Sequence, residues 1–233
     1  MTLQAVLFDV DFTLCRPGPE LGPSGYQALG AEHGLDLDAA RWDEARQAAI
    51  RDLRKHPELD HDEEIWVRFT EDIVRGMGGD GSRVRDIAVT IARRWEDAGH
   101  FELYDDAVPA LEELRRRQLK LGLVSNTSRD LGRFVEHFSL DVDGWISSGT
   151  HGKVKPSSLI FEAALEVLQV DARAAVMVGD SIEDDIEGAR ALGMRAVLVD
   201  RLGIFPDFGD RISSLSELPG TLDPGSVGSL RAG

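Results

Sequence analysis

Short apolar runs, each followed by small or polar residues, recur along most of the chain. Such runs are typical of strands that are buried on both faces of a parallel sheet. The segments between them repeat their apolar residues at the spacing of an amphipathic helix. The alternation of the two patterns predicts an α/β fold with a doubly wound parallel sheet. The predicted strands are 5–8, 119–124, 145–146, 174–178 and 196–199, and the helices between them begin near residues 106, 134, 160 and 186.

The segment from residue 16 to residue 104 breaks this alternation. It contains no buried-strand run, and its apolar residues fall at helical spacing instead. The sequence therefore predicts a Rossmann-like core domain made of residues 1–15 and 105–219, with an all-helical domain inserted at 16–104. Residues 220–233 contain few large apolar groups and are expected to form a flexible tail. Three apolar stripes, at 42–53, 65–77 and 84–95, mark the helices of the insert.

Composition limits the partners of the chain. Its 233 residues include 26 basic and 42 acidic ones, which gives a formal charge of −16. Such a surface repels phosphate backbones and anionic lipid, so we expect neither nucleic acid nor a membrane surface as a partner. The chain has a single cysteine, Cys15, and neither a basic leader nor a membrane-length apolar run. We therefore expect a reducing, cytoplasmic setting without disulfides.

The first predicted strand leads directly into the segment Asp9-Val10-Asp11-Phe12-Thr13. Open α/β sheets bind their ligands at the carboxyl ends of the strands, which would place Asp9 and Asp11 in the binding crevice. Two carboxylates this close repel each other unless they share a cation or a proton. The pattern therefore favours a metal site over a solvated turn.

Three later segments place further polar residues near strand ends. The strand at 119–124 is followed by Ser125-Asn126, which could donate to a phosphoryl oxygen or cap the next helix. Two of the four lysines of the chain lie in Lys153-Val154-Lys155-Pro156, ahead of a predicted helix. The strand at 174–178 leads into the acidic segment 179–185, which could hold a metal or complement a helix dipole. The order of the four segments carries more information than any one of them.

That order resembles the four motifs of the haloacid dehalogenase (HAD) superfamily of phosphohydrolases. The position of the insert, directly after the first motif, is similar to the subfamily with a helical cap domain. Within the insert, Tyr26 with His33-Gly34-Leu35 is similar to the group called rhythmically expressed gene 2-like. The resemblance implies a phosphatase that acts on a small phosphorylated metabolite. The residues that match the four motifs are Asp9 and Asp11, Ser125, Lys155, and Asp180 with Asp185.

The resemblance also implies a catalytic role for each matching acid. Asp9 would be the nucleophile that forms an aspartyl-phosphate, and Asp11 would act first as general acid and then as general base. The implied cofactor is Mg²⁺, with the carboxylates of Asp9 and Asp180 and the backbone carbonyl of Asp11 as ligands. Asp185 would hold a metal-bound water, and Asp184 is the alternative for this position.

The phosphate-binding residues follow from the same resemblance. Lys155 would neutralise the charge of the nucleophile and of the phosphoryl group, and it is preferred over Lys153 because Pro156 follows it. Phe12 stands where glycine is common in the family, and we interpret it either as part of the pocket wall or as an ordinary packing residue. The groups expected on the phosphoryl oxygens are Ser125, Asn126, Lys155 and the backbone N–H of Phe12.

Other activities remain as alternatives. A 2-haloacid dehalogenase would lack an acid at position 11, so Asp11 counts against that reaction. A phosphonatase would need a lysine in the cap, where the insert offers Lys55. A phosphomutase and a non-catalytic binding module stay open, as do the substrate and the oligomeric state. The candidate substrate-selecting residues of the insert are Arg51, Arg54, His56, His61, Trp66 and Arg68.

Overall fold

The structure, a computed structural model, describes residues 2–53 and 63–223. These residues form two compact units. The α/β unit contains residues 2–16, 103–126 and 131–223, and the helical unit contains 17–53, 63–102 and 127–130. Several residues named above lie outside the described part of the chain, namely Arg54, Lys55, His56, His61 and the expected tail from 224 onward.

Strands and helices alternate in the α/β unit, whereas the helical unit consists mainly of helices. The strands are β1 (Ala5–Phe8), β2 (Cys15–Pro17), β3 (Phe101–Leu103), β4 (Lys120–Ser125), β5 (Gly144–Ser147), β6 (Ala175–Gly179), β7 (Arg195–Val199) and β8 (Arg211–Ile212). The α-helices are α1 (Pro23–Glu32), α2 (Trp42–Leu53), α3 (Glu63–Gly76), α4 (Arg83–Glu96), α5 (Ala107–Arg116), α6 (Leu131–Phe138), α7 (Ser148–His151), α8 (Ser158–Leu168), α9 (Gly188–Ala191) and α10 (Leu218–Thr221). Short 3₁₀ turns lie at Pro19–Leu21, Ala39–Arg41, Ala98–His100, Ala172–Ala174 and Leu215–Glu217, and a π-helical turn lies at Ile182–Glu187.

A parallel sheet forms the centre of the α/β unit. Within the described residues, six strands pair in the order β5-β4-β1-β6-β7-β8, and each neighbouring pair is parallel. Leu7 in the central strand pairs with Gly122 on one side and with Met177 on the other. All four residues of β1 are buried, as expected for a strand that is covered on both faces. The predicted α/β fold with a parallel sheet is confirmed.

Helix α8 packs against this sheet and forms much of the hydrophobic core. Phe161, Leu165 and Leu168 of α8 belong to one buried cluster with Leu7 and Met177 of the sheet. Burying a side chain of this size stabilises the fold by about 1.5–3 kcal/mol relative to exposure. The packed core therefore fixes the positions of the strand ends, from which the polar residues of the candidate site project.

The helical unit has its own core. Helix α3 packs against both α2 and α4. The buried residues Val84, Ile87 and Ile91 of α4 follow the spacing of the predicted stripe, and Ile73 of α3 is also buried. Across residues 2–53 and 63–223, no helix combines the length and the apolar character that crossing a membrane requires.

Candidate active site

Three neighbouring strands bring polar residues to the same edge of the sheet. β1 lies between β4 and β6, and all three run in the same direction, so their carboxyl ends share one edge. Asp9 follows β1, and its N–H donates to the carbonyl of Val178 at 2.9 Å. Ser125 is the buried last residue of β4, and Asp180 directly follows β6. The structure thus brings residues of three of the four predicted motifs to one edge of the sheet.

Asp9, Asp180 and Asp185 form an acidic cluster. One carboxylate oxygen of each lies within 4.8 Å of the others, a spacing suited to ligands of a single cation. Asp9 and Asp185 are buried, and Asp180 is partly buried. Asp184, the alternative for the last position, does not belong to this group.

The acidic cluster carries more negative charge than its surroundings stabilise. Burial raises the pKa of Asp9 to about 7, and the charges of Asp185 and Asp11 act in the same direction, while Lys155 opposes them. Burial, together with the charges of Asp9 and Asp185, also raises the pKa of Asp180 well above its usual range. A cation bound among these carboxylates would favour their ionised forms.

Lys155 is the buried cation of the site. Its Nζ atom lies 2.6 Å from Asp9 Oδ1 and 2.6 Å from Asp185 Oδ1, and the residue is only 4% exposed. Burial alone would lower the pKa of Lys155, but the carboxylates of Asp185 and Asp9 raise it above its usual value. The ammonium therefore stays charged and links the nucleophile candidate to Asp185.

Asn126 holds the backbone of Lys155. Its Nδ2 donates to the Lys155 carbonyl at 3.0 Å, and its Oδ1 accepts from the Lys155 N–H at 2.7 Å. The residue was expected to bind a phosphoryl oxygen, and the structure adds this second role. Sequence reasoning missed the pair because the two residues are 29 positions apart and no local pattern connects them.

The turn after β6 places Asp185. Its Oδ2 accepts from the Ser181 N–H at 3.0 Å, while the Ser181 hydroxyl accepts from the Asp184 N–H at 3.1 Å. A Cβ atom at Gly179 would collide with the Asp185 carboxylate, so the last position of β6 has room only for glycine. The π-helical turn at Ile182–Glu187 thus directs Asp185 toward the cluster.

The loop after β1 departs from expectation at Phe12. The Phe12 N–H donates to the Cys15 carbonyl at 2.6 Å, so it is already used within the loop. The expected bond from this N–H to a phosphoryl oxygen stays a prediction, and it would require the bond to Cys15 to be given up. Phe12 has a φ of +66°, a left-handed conformation that glycine adopts most easily. This backbone conformation explains the glycine that is common at this position. Asp11, one residue earlier, is partly buried and has the Cys15 thiol 3.6 Å from its Oδ1.

The fold and the cluster together define an α/β enzyme with an acidic centre and a buried lysine at the carboxyl edge of its sheet. Residues 3–193 match the family of haloacid dehalogenase-like hydrolases. The chain therefore belongs to this family, and the resemblance inferred from its motifs is confirmed.

Relatives of known activity agree with this assignment. The phosphoserine phosphatase of Thermus thermophilus is 30% identical over 88% of this chain and 91% of its own length. The ribulose-1,5-bisphosphate 5-phosphatase of Halopiger xanaduensis is 31% identical over 84% of each protein. The solved structure of a HAD phosphatase from Thermococcus onnurineus is 27% identical, covers 94% of this chain and 98% of its own, and gives a TM-score of 0.63. The protein is thus an enzyme of the phosphatase type.

Proposed function

We propose that the protein is a Mg²⁺-dependent hydrolase of phosphoric monoesters that acts through an aspartyl-phosphate on Asp9. The observation that supports this most directly is the position of the Asp9 carboxylate, 2.6 Å from the buried Lys155 ammonium and within the acidic cluster. A carboxylate can attack a negatively charged phosphoryl group only where fixed positive charge offsets the repulsion. The phosphatase activities named for the relatives support the same reaction.

The donor set of the cluster fits Mg²⁺. This ion prefers oxygen ligands in octahedral geometry and usually keeps several waters. We assign as ligands the carboxylates of Asp9 and Asp180 and the backbone carbonyl of Asp11, with Asp185 holding a metal-bound water. The raised pKa values of Asp9 and Asp180 support this assignment, because the cluster needs positive charge beyond that of Lys155 to be fully ionised. When bound, the ion would supply that charge and polarise the phosphoryl oxygens.

The two carboxyl groups at the end of β1 divide the chemistry between them. In the first step an oxygen of Asp9 attacks phosphorus, the bond from phosphorus to the ester oxygen breaks, and Asp11 gives its proton to that oxygen. In the second step a water attacks the phosphorus while Asp11 accepts its proton, and the bond to Asp9 breaks. Inorganic phosphate leaves, Asp9 is again a carboxylate and Asp11 is again protonated.

Three other residues complete the proposed site. Lys155 neutralises charge on the nucleophile and on the phosphoryl group. The Ser125 hydroxyl, at the end of the adjacent strand, donates to a phosphoryl oxygen as charge develops there. Asn126 holds the Lys155 backbone with one amide hydrogen, and its second amide hydrogen is directed to a phosphoryl oxygen in our proposal.

We further propose that the helical unit is the cap that selects the substrate. Its place in the chain, directly after the segment that carries Asp9 and Asp11, is that of a HAD helical cap. Of the candidate selecting residues, Arg51, Trp66 and Arg68 lie in its described part. The relatives differ in the substrates that their names give, and we propose a small phosphorylated metabolite as the substrate of this chain.

Hydrolysis of p-nitrophenyl phosphate tests the proposed function. We expect turnover by the wild type with Mg²⁺, and loss of turnover on addition of EDTA or in Asp9→Asn. Asp184→Asn serves as the matched control, because Asp184 lies in the same acidic segment but outside the cluster. Unchanged turnover in Asp9→Asn would contradict the assignment of the nucleophile. If no phosphate ester in a metabolite panel were cleaved, the result would favour a binding module, and conversion of a sugar phosphate to its isomer would favour a mutase.

A further inference from the structure

Arg201 connects the segment after β7 to the loop that carries the proposed catalytic acids. Its Nη2 donates to the backbone carbonyl of Thr13 at 2.8 Å. The same guanidinium forms a two-pronged pair with Asp106, with Nη1–Oδ2 and Nη2–Oδ1 distances of 2.9 Å each. Both side chains are 16% exposed, so water competes little for these bonds. Three acceptor atoms therefore fix the plane of the guanidinium.

Asp106 is itself held from several sides. Its Oδ2 accepts from the Ser214 hydroxyl at 2.6 Å and from the Leu215 N–H at 2.9 Å. The Arg201 guanidinium also lies over the Tyr104 ring, 3.7 Å from its centroid. These contacts fix the position of Arg201 independently of the loop that it contacts.

The loop between β1 and β2 gains two external anchors in this way. Besides the bond from Arg201 to the Thr13 carbonyl, the Tyr104 N–H donates to the Leu14 carbonyl at 3.0 Å. Thr13 is fully buried and lies two residues after Asp11 and four after Asp9. A shift at Thr13 would therefore be passed on to the carboxyl groups that must align with phosphorus and with the leaving oxygen.

We propose that Arg201 is a positioning residue that aligns Asp9 and Asp11 through the Thr13 carbonyl. This role rests on the proposed function. Arg201 and Ser214 lie beyond residues 3–193, which match the family, whereas Thr13 and Asp106 lie within that range. Lysine cannot replace the arginine fully, because one ammonium lacks the planar fork that serves Asp106 and Thr13 together.

Two substrates with different leaving groups distinguish alignment from stability. Phenolate is a much stronger base than p-nitrophenolate, so phenyl phosphate depends more on the proton from Asp11. We expect Arg201→Met to lower kcat/KM for p-nitrophenyl phosphate about 10-fold, as for other small displacements of catalytic groups. The loss for phenyl phosphate should be roughly 10-fold larger again, because proton donation is also impaired. Arg201→Lys should also lose more kcat/KM on phenyl phosphate than on p-nitrophenyl phosphate, but both losses should be smaller than in Arg201→Met.

Arg115→Met is the matched control. Arg115 also makes several charged bonds, to Asp143 at 2.7 Å and Asp141 at 3.0 Å, but these lie at the opposite end of β4 from Ser125. The Arg115→Met variant should have a lower thermal midpoint than the wild type. Its kcat/KM values for both substrates should be nearly unchanged at temperatures where it is folded. Asp11→Asn calibrates the leaving-group effect expected when the proton donor is lost.

The outcomes separate this inference from the proposed function. Suppose that Asp11→Asn shows the leaving-group effect. The positioning role of Arg201 is then wrong if Arg201→Met and Arg201→Lys lose kcat/KM equally on the two substrates, or lose none. If Arg201→Met does not fold, Arg201→Lys decides the question. Failure of the wild type to hydrolyse either ester would overturn the proposed function, and the positioning role with it.

Discussion

Lys155 is the residue on which the acidic cluster depends. A buried ammonium costs on the order of several kcal/mol in lost hydration, and so does each buried carboxylate. The two 2.6 Å contacts of Lys155, with Asp9 and with Asp185, offset part of both costs. Asp185 therefore holds the Lys155 ammonium beside Asp9, the proposed nucleophile, in addition to its proposed role at the cation.

Replacing Asp185 tests this arrangement. We expect Asp185→Asn to lower kcat/KM about 10- to 100-fold, the usual effect of losing a residue that orients a metal ligand. Asp184→Asn should change kcat/KM less than about threefold, because its carboxylate is not part of the cluster. Steady-state kinetics of the two variants gives the comparison. A larger loss in Asp184→Asn than in Asp185→Asn would show that the last acid of the site is Asp184.

Asp106 gives a pH dependence of stability. Burial alone would raise its pKa, but hydrogen bonds from Arg201, Ser214 and the Leu215 N–H outweigh it and lower the pKa below the usual value. The stabilisation is therefore complete above about pH 5, where the carboxyl group is almost fully ionised even in the unfolded chain. It is lost as the pH falls through the lower pKa of the folded protein.

Urea unfolding of Asp106→Asn measures this contribution. The variant should be less stable than the wild type by about 1–2 kcal/mol at neutral pH, as for a lost charged hydrogen bond. The difference should stay constant from about pH 7 to pH 5 and shrink below about pH 4. Asp86→Asn, which removes a largely exposed carboxylate, should leave the pH curve unchanged. A difference that grows on acidification would contradict the account.

At the level of secondary structure elements, the strand ends explain why the site could be anticipated. Apolar runs in the sequence predict buried parallel strands, and the polar residues that follow these strands lie together at one edge of the sheet. Asp9, Ser125 and Asp180 could therefore be predicted from the sequence. β8 could not, because it has two residues and only one of them is apolar.

Contacts between distant segments of the chain could not be predicted from the sequence patterns. The bonds of Asn126 to Lys155 and of Arg201 to Asp106 join residues 29 and 95 positions apart. Their donors and acceptors are common polar residues without a periodic pattern. The left-handed backbone at Phe12 could not be predicted from the sequence either, because residues with bulky side chains rarely adopt this conformation. Each depends on tertiary packing that only the structure displays.

Asn126 joins the end of β4 to the segment before α8, and its replacement tests the junction. Asn126→Ala removes both bonds to the Lys155 backbone, so we expect kcat to fall about 10-fold or more through displacement of the ammonium. The inhibition constant of inorganic phosphate should rise by a smaller factor. If that constant rose as much as kcat fell, the main role of Asn126 would be phosphate binding and the positioning role would be wrong.

Considered as a whole, the molecule carries a formal charge of −16, yet the proposed substrate is an anion. The acidic cluster explains how an acidic protein could bind an anionic substrate. Lys155 supplies one positive charge, and the raised pKa values of Asp9 and Asp180 indicate that further positive charge would stabilise their ionised forms. A divalent cation would reverse the sign of the field within the pocket while the outer surface stays acidic.

Thermal unfolding with and without Mg²⁺ tests this account independently of turnover. Binding to the folded state alone stabilises a protein by about 2.7 kcal/mol at a ligand concentration of 100 Kd, so Mg²⁺ should raise the thermal midpoint of the wild type. Asp180→Asn should lose this shift, whereas Asp210→Asn, an exposed acid paired with Arg190, should keep it. An equal shift in Asp180→Asn would place the metal elsewhere.

The central claim is that Asp9 becomes phosphorylated during turnover. Borohydride reduces an aspartyl-phosphate to homoserine, so a reaction quenched during turnover and then reduced can be mapped by mass spectrometry of its peptides. We expect homoserine at position 9 in the wild type with Mg²⁺ and substrate, and none when either is withheld or in Asp9→Asn. Turnover without modification at position 9, or modification at Asp11 or Asp180 instead, would contradict it.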